Sequence, residues 1–146
     1  GEKLDYVIAS MHPPCIAFGS IEENTRAVIK AMNNKYVKII GHPDDSRYPL
    51  DYEKIVKYAK EKNVLLEVNN SSLNSDGYRA GALDNYKIML NLCKKYKVKV
   101  ILGSDAHISY AVGKFPNCEK LLKEINFPDE LVINYNEAHI IEFFNI

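Results

Sequence analysis

An aspartate and a histidine stand two residues apart directly after an apolar, β-branched run. The run, VKVIL at 98–102, is typical of a strand buried on both faces, and Gly103-Ser104 ends it. In an extended segment, side chains two residues apart leave the backbone on the same side, so Asp105 and His107 converge. Both residue types are good ligands for zinc, manganese or iron, and this strand end is therefore a candidate metal site.

Two further apolar segments end in a histidine that precedes proline. His12 follows LDYVIASM at 4–11, and His42 follows YVKIIG at 36–41. Proline disfavours helical geometry for the residue before it, so each histidine marks the end of a strand. Core packing does not require this repeated choice, whereas a metal site at the carboxyl ends of parallel strands needs ligands there. The alternative is a set of structural hydrogen bonds at the edge of the sheet.

Strand-like and helix-like segments alternate along the chain. Strands are predicted at 4–11, 36–41, 64–68, 98–102 and 131–133. The first predicted helix follows Ser20 and has an apolar face that includes Met32, and the other four lie at about 52–62, 82–96, 116–125 and 137–144. Ser20 with Glu23, Asp51 and Asn136 are the predicted helix caps. The alternation predicts an α/β fold with a parallel sheet and covering helices, either open or part of a barrel.

The carboxyl ends of parallel strands share one rim, and several polar side chains should therefore meet there. The rim residues are His12, His42, Asn69, Asp105 and His107. Asp44 and Asp45 are predicted to be solvated, and His139 to be structural. A hydrolytic site with several metals normally needs a bridging carboxylate and more ligands than these. This shortage, and a strand at the very start, favour a fragment without its N-terminal part; a natural start is the alternative.

Composition points to a single ordinary domain. The 146 residues, 47% of them hydrophobic, are enough for one domain with a core. Nineteen basic residues balance nineteen acidic ones, so no bulk charge indicates nucleic acid or a membrane surface. The three cysteines lack CxxC spacing, and we expect a reducing cytoplasm. Cys15 is either reactive or a small buried residue. Nucleotide-binding loops and a GxSxG elbow are not found in the sequence.

Six segments in order resemble a known family. They are ASMHPP, IIGHPDD, LLEVNNSSL, ILGSDAH, VGKFPNCEKLL and INFPDELVINYNEAHIIEFF. Together they resemble the C-terminal portion of a PHP-domain (polymerase and histidinol phosphatase) metal-dependent phosphoesterase, most closely the YcdX-type phosphatases. The resemblance implies that residues 1–146 are a single partial PHP domain. Its fold would be part of a distorted (β/α)7 TIM-like barrel that lacks the N-terminal strands.

The resemblance also implies roles for individual residues. His12 and His42 would ligate one metal, Asp105 a second and His107 a third, in a cluster of up to three zinc, manganese or iron ions. No catalytic group is implied beyond these ligands, since a metal-bound hydroxide would attack a small phosphomonoester. The remaining ligands of the family, an HxH motif, a pair of histidines and a bridging glutamate, stand in segments that this sequence does not contain.

Asn69 and Arg79 are candidates for contacts with phosphate or with the metal ligands. For Arg79 a solvated loop position is the alternative, and for Asn69 a structural hydrogen bond. Two functions follow from the resemblance: a metal-dependent phosphatase, in which this chain alone would be inactive or nearly so, and a non-catalytic PHP-like structural or regulatory module. We expect a small phosphorylated substrate, no nucleic acid, no membrane, and self-association through exposed barrel edges.

Overall fold

Four parallel strands form one sheet in the order in which they occur along the chain. The computed structural model describes residues 5–13, 17–77 and 79–146. The strands are β1 (Val7–Ala9), β2 (Val37–Ile40), β3 (Leu65–Asn69) and β4 (Val100–Gly103). The helices are α1 (Ile21–Met32), α2 (Tyr52–Lys62), α3 (Ala82–Tyr96), α4 (Pro116–Glu124) and α5 (Glu137–Phe144). The predicted α/β class, with parallel strands alternating with helices, is confirmed.

Helix starts follow the side-chain caps that the sequence predicts. Ser20 Oγ accepts a hydrogen bond from the backbone N–H of Glu23, and the Glu23 carboxylate accepts one from the N–H of Ser20. Asp51 accepts from the N–H of Lys54 at the start of α2. Asn136 accepts from the N–H of a residue in the first turn of α5. These caps satisfy backbone donors that a helix leaves unpaired at its amino end.

Alternation along the strands gives the sheet two different faces. One face packs against α1–α4 and carries Ile40, Leu66, Val68, Val100 and Leu102. The opposite face carries Ile39 and Leu65, against which side chains of α5 pack. Glu67 lies two residues beyond Leu65 in β3, so it belongs to this second face, nearer the carboxyl ends of the strands.

The fifth strand predicted at 131–133 is wrong. Asp129–Leu131 and Ile133–Tyr135 are short 3₁₀ turns, and Val132 makes one isolated parallel bridge to Val100. Next to this bridge the Asn134 side chain accepts from the N–H of Leu102 at 2.7 Å and donates to its carbonyl at 3.1 Å. A side-chain amide therefore takes the backbone groups of β4 that another strand would have used.

Smaller differences concern strand lengths and one helix face. The first strand is shorter than the predicted 4–11, whose first residue lies outside the described residues. Leu83, in the first turn of α3, is 48% exposed, because the buried stripe of that helix runs through Tyr86, Met89 and Leu90. Within the described ranges, no helix is long and apolar enough to cross a membrane.

The thiols of Cys93 and Cys118 lie in the main core, and burial raises the pKa of each to about 12. Because the thiolate is the reactive form and neither sulfur reaches solvent, we expect both to resist alkylation by iodoacetamide in the native chain at pH 8. In denaturant both should react readily. Peptide mapping by mass spectrometry measures the two rates, and equal rates for Cys93 in the native and unfolded chain would contradict the buried position. Cys15 lies outside the described residues.

Candidate metal centre

His12 and His42 come together at the ends of two neighbouring strands. Parallel pairing of β1 and β2 places Ala9 beside Ile40, and each histidine follows its strand by two or three residues. The two Nε2 atoms lie 2.9 Å apart, and the rings meet edge to face with centroids 4.5 Å apart. At this distance one ring donates a hydrogen bond to the other, in a direction that the tautomers set. With metal–nitrogen bonds of about 2 Å, the same separation corresponds to two ligand positions about 90° apart around one ion.

His42 is held in an unusual conformation and a neutral state. Its φ of +28° lies in the left-handed region that residues other than glycine rarely adopt. Its backbone N–H donates to Glu67 Oε2 at 2.6 Å. Burial, with the charge of Arg79 and the neighbouring His12, lowers the pKa of His42 to about 4. The ring is therefore neutral at neutral pH, the form in which histidine binds a metal.

Glu67 is a site residue that the sequence analysis missed. Burial raises the pKa of its carboxyl, and the hydrogen bond from the His42 N–H acts in the opposite direction. Gly41, directly after β2, and Gly103, the last residue of β4, flank this carboxylate: a Cβ at Gly103 would overlap Oε1 and lie 2.9 Å from Cδ. The signal in the sequence was one glutamate inside the apolar run VLLEV, between strands that both end in glycine.

Asp105 and His107 lie beyond the end of β4 and face different partners. Asp105 has a φ of +47°, and its Oδ2 lies 3.5 Å from an Arg79 Nη2. His107 is exposed, with Nδ1 3.0 Å from the backbone carbonyl oxygen of Asp105. The negative charge of Asp105 is near enough to oppose, in small part, the lowering of the pKa of His42. Among the described residues, no three His, Cys, Asp or Glu side chains form one metal-binding group.

The solvated-loop alternative for Arg79 is wrong. Arg79 is only 4% exposed, and its Nη1 donates to Ser72 Oγ at 2.7 Å while Nη2 faces Asp105. Asn69 makes the structural hydrogen bonds that were its alternative, because Oδ1 accepts from the N–H of Ser72 at 3.0 Å and from its hydroxyl at 3.3 Å. A buried polar chain therefore links the end of β3 to Asp105.

The predicted solvation of Asp44 and Asp45 is also wrong. Asp44 is fully buried and Asp45 nearly so, with Asp45 held by an ion pair to Arg47 at 2.7 Å. Asp44 Oδ1 accepts from the Tyr86 hydroxyl at 3.0 Å, and that hydroxyl accepts from the N–H of Asn69 at 2.9 Å. Burial raises the pKa of Asp44. Buried polar contacts to β3 and α3 therefore hold the loop after His42 in place.

Ser71 ties together the loops after β3 and β4. Its hydroxyl approaches the backbone carbonyl oxygens of Ser104 at 3.0 Å and Asp105 at 3.2 Å. Ser72 is occupied by its bonds with Arg79 and Asn69. These contacts give both serines a role in holding the rim.

Curated proteins similar to this chain carry the name "Probable phosphatase". One from Clostridium botulinum is 49% identical over 142 residues, one from Acetivibrio thermocellus 45% over 141, and one from Caldicellulosiruptor bescii 40% over 145. The alignments cover 97–99% of this chain but 57–59% of those proteins, so the chain spans a little over half of their length. No protein-family model matches the chain. The similarity supports a relationship with phosphatases.

Proposed function

We propose that this chain contributes metal ligands to a PHP-type, metal-dependent phosphatase that hydrolyses small phosphomonoesters. The observation that carries the proposal is the pair of imidazole nitrogens 2.9 Å apart at the carboxyl ends of β1 and β2. The names of the related proteins support the reaction class. A bound divalent metal, zinc, manganese or iron, would supply an activated water and neutralise the phosphoryl group.

The fold supports a partial (β/α)7 barrel as the setting of this site. Consecutive strands are neighbours, and α1–α4 pack against one face of the sheet. Successive units of a barrel keep one strand order with their helices on one face, as β1–β4 and α1–α4 do, whereas a doubly wound sheet reverses its order at a switch point. In this proposal the face that carries Glu67 is the barrel interior, and α5 covers the part of it nearer the amino ends of the strands, at Ile39 and Leu65.

Within the proposed site, His12 and His42 would hold one ion, and Asp105 and His107 would each serve another. The neutral ring of His42 needs no proton removed before it binds. The Arg79 guanidinium holds the carboxylate of Asp105 in place at the rim. The described residues supply only part of a catalytic centre, and we therefore expect this chain alone to have little or no phosphatase activity.

Zinc binding tests the proposal directly. The purified chain should bind zinc, and His12→Ala should weaken the affinity at least about tenfold, because only one imidazole then remains at the pair. His139→Ala is the matched control, since that histidine lies in α5 and should leave affinity unchanged. Titration calorimetry and elemental analysis measure both. A folded chain that binds no zinc, or binds it equally in the two variants, would refute the assignment.

A non-catalytic PHP-like module is the second candidate. It is favoured by the finding that the described residues bring no three possible ligands into one group. Assays of the full-length parent protein with p-nitrophenyl phosphate separate the two: hydrolysis that His42→Ala abolishes supports the enzyme, and zinc binding without hydrolysis supports the module. As part of this proposal we place the protein in the cytoplasm, where the buried thiols of Cys93 and Cys118 would stay reduced.

A further inference from the structure

We propose that Glu67 is a positioning residue for the histidine pair, whose carboxylate fixes the backbone of His42 and thereby the ring of His42 against His12. The inference rests on the proposed function for its metal readout. The structural part of the inference is that a carboxylate on β3 positions an imidazole at the end of β2. This part depends only on the contacts described above, and it can be tested without metal.

The first argument is the hydrogen bond itself. Glu67 Oε2 accepts from the His42 N–H at 2.6 Å, a shorter distance than that of an ordinary N–H···O hydrogen bond. That bond acts on a residue whose φ of +28° lies in the left-handed region. A left-handed residue other than glycine persists only where its surroundings hold it. The carboxylate is the polar partner in position to hold it.

The second argument is the space kept free for the carboxylate. Gly41 directly follows β2 and Gly103 is the last residue of β4, on the two sides of β3, and a side chain at Gly103 would occupy the place of Oε1. The register places Glu67 beside Ile101 and Asn69 beside Gly103, so the carboxylate reaches along its own strand toward the rim. Its direction is thus set by packing on one side and by the His42 N–H on the other.

The third argument is the contact between the rings. His12 meets His42 edge to face, with an interplanar angle of 76° and the Nε2 atoms 2.9 Å apart. His12 is exposed, whereas His42 is half-buried and its backbone is held. The position of His42 therefore determines where the two nitrogens meet, and Glu67 acts on that position.

Two substitutions with side chains of similar length distinguish the hydrogen bond that Glu67 accepts from the space that its side chain fills. Glu67→Gln keeps an oxygen that accepts from the His42 N–H, whereas Glu67→Met fills the same space without an acceptor. Zinc titration should leave the glutamine variant within about threefold of the native affinity and weaken the methionine variant about 10–100-fold, the usual loss when a group that orients a metal ligand is removed. Gly103→Ala, which displaces the carboxylate without changing Glu67, should show the same loss.

A measurement on the metal-free chain tests the role of Glu67 even if the proposed function is wrong, and it shows whether a variant has misfolded. In nuclear magnetic resonance spectra, the native chain and Glu67→Gln should show a protected His42 amide proton and a cross-peak between the two imidazole rings. Glu67→Met should lose both while its circular dichroism stays native. If a folded Glu67→Met keeps the ring cross-peak and the native zinc affinity, the inference is overturned. If the native chain binds no zinc, the proposed function fails, and the ring cross-peak still decides the role of Glu67.

Discussion

Replacing Arg79 with leucine should lower the free energy of unfolding by about 3 kcal/mol, the low end of the range for breaking a buried ion pair. The guanidinium side chain is 3% exposed and joins Ser72 to Asp105. Its removal leaves the Asp105 carboxylate without its partner, and the fully buried Asp44 loses a nearby positive charge. The loss stays at the low end because the Asp105 side chain is 33% exposed and can regain water.

Urea unfolding followed by circular dichroism measures this loss. Arg26→Leu is the matched control, because Arg26 forms a surface ion pair with Glu22 in which both side chains are more than two-thirds exposed. Such a pair contributes about 0.3–0.5 kcal/mol. Arg79→Lys should fall between the two, since it keeps the charge but not the forked donor geometry. Equal unfolding free energies for Arg79→Leu and Arg26→Leu would show that the buried network does not stabilise the rim.

Tyr86→Phe should lower the free energy of unfolding by about 2–6 kcal/mol, although it removes a single oxygen atom. The Tyr86 hydroxyl is fully buried, donates to Asp44 Oδ1 and accepts from the N–H of Asn69. Without it, a carboxylate and a backbone donor lose a partner in places that water does not reach. Each such buried group left unpaired costs about 1–3 kcal/mol.

Tyr58→Phe provides the comparison for this variant. Its hydroxyl donates to Asn33 Oδ1 at 2.6 Å in an exposed position, where water can replace the lost partner. We expect a change of less than about 1 kcal/mol, the net value of an ordinary hydrogen bond. Thermal and urea unfolding of the two variants side by side measure the difference. A Tyr86→Phe chain as stable as Tyr58→Phe would mean that Asp44 and Asn69 find other partners.

Local chemistry explains why much of the fold could be predicted. The helix caps Ser20, Asp51 and Asn136 each accept a hydrogen bond from a residue three positions further along. Both partners therefore stand in one short stretch of sequence, where the pattern can be recognised. The fifth strand failed because its apolar, β-branched run at 131–133 is compatible with a strand, whereas the Asn134 amide pairs with Leu102 in β4. Leu102 is 32 residues away from Asn134 along the chain, and no local pattern reveals the pairing.

In the candidate site, too, some features could be predicted from local sequence and others could not. The strand ends at His12 and His42 could be predicted because a proline follows each histidine, and the pairing of β1 with β2 then brings them together. The burial of Asp44 and Arg79 could not, because polar residues in a loop have the same sequence pattern whether they face water or a buried partner. Glu67 was missed because its role depends on space left by glycines at the ends of two other strands.

The amide of Asn134 has a consequence for how copies of this chain can assemble. It closes the β4 edge at Leu102, whereas β1 has no neighbouring strand on its outer side among the described residues. A filament that grows by edge-to-edge addition needs two open edges on every copy. Because the β4 edge is closed, two copies that pair through β1 leave no open sheet edge to which a third copy could add. Any association through the sheet should therefore stop at a twofold-symmetric pair and resist fibre growth.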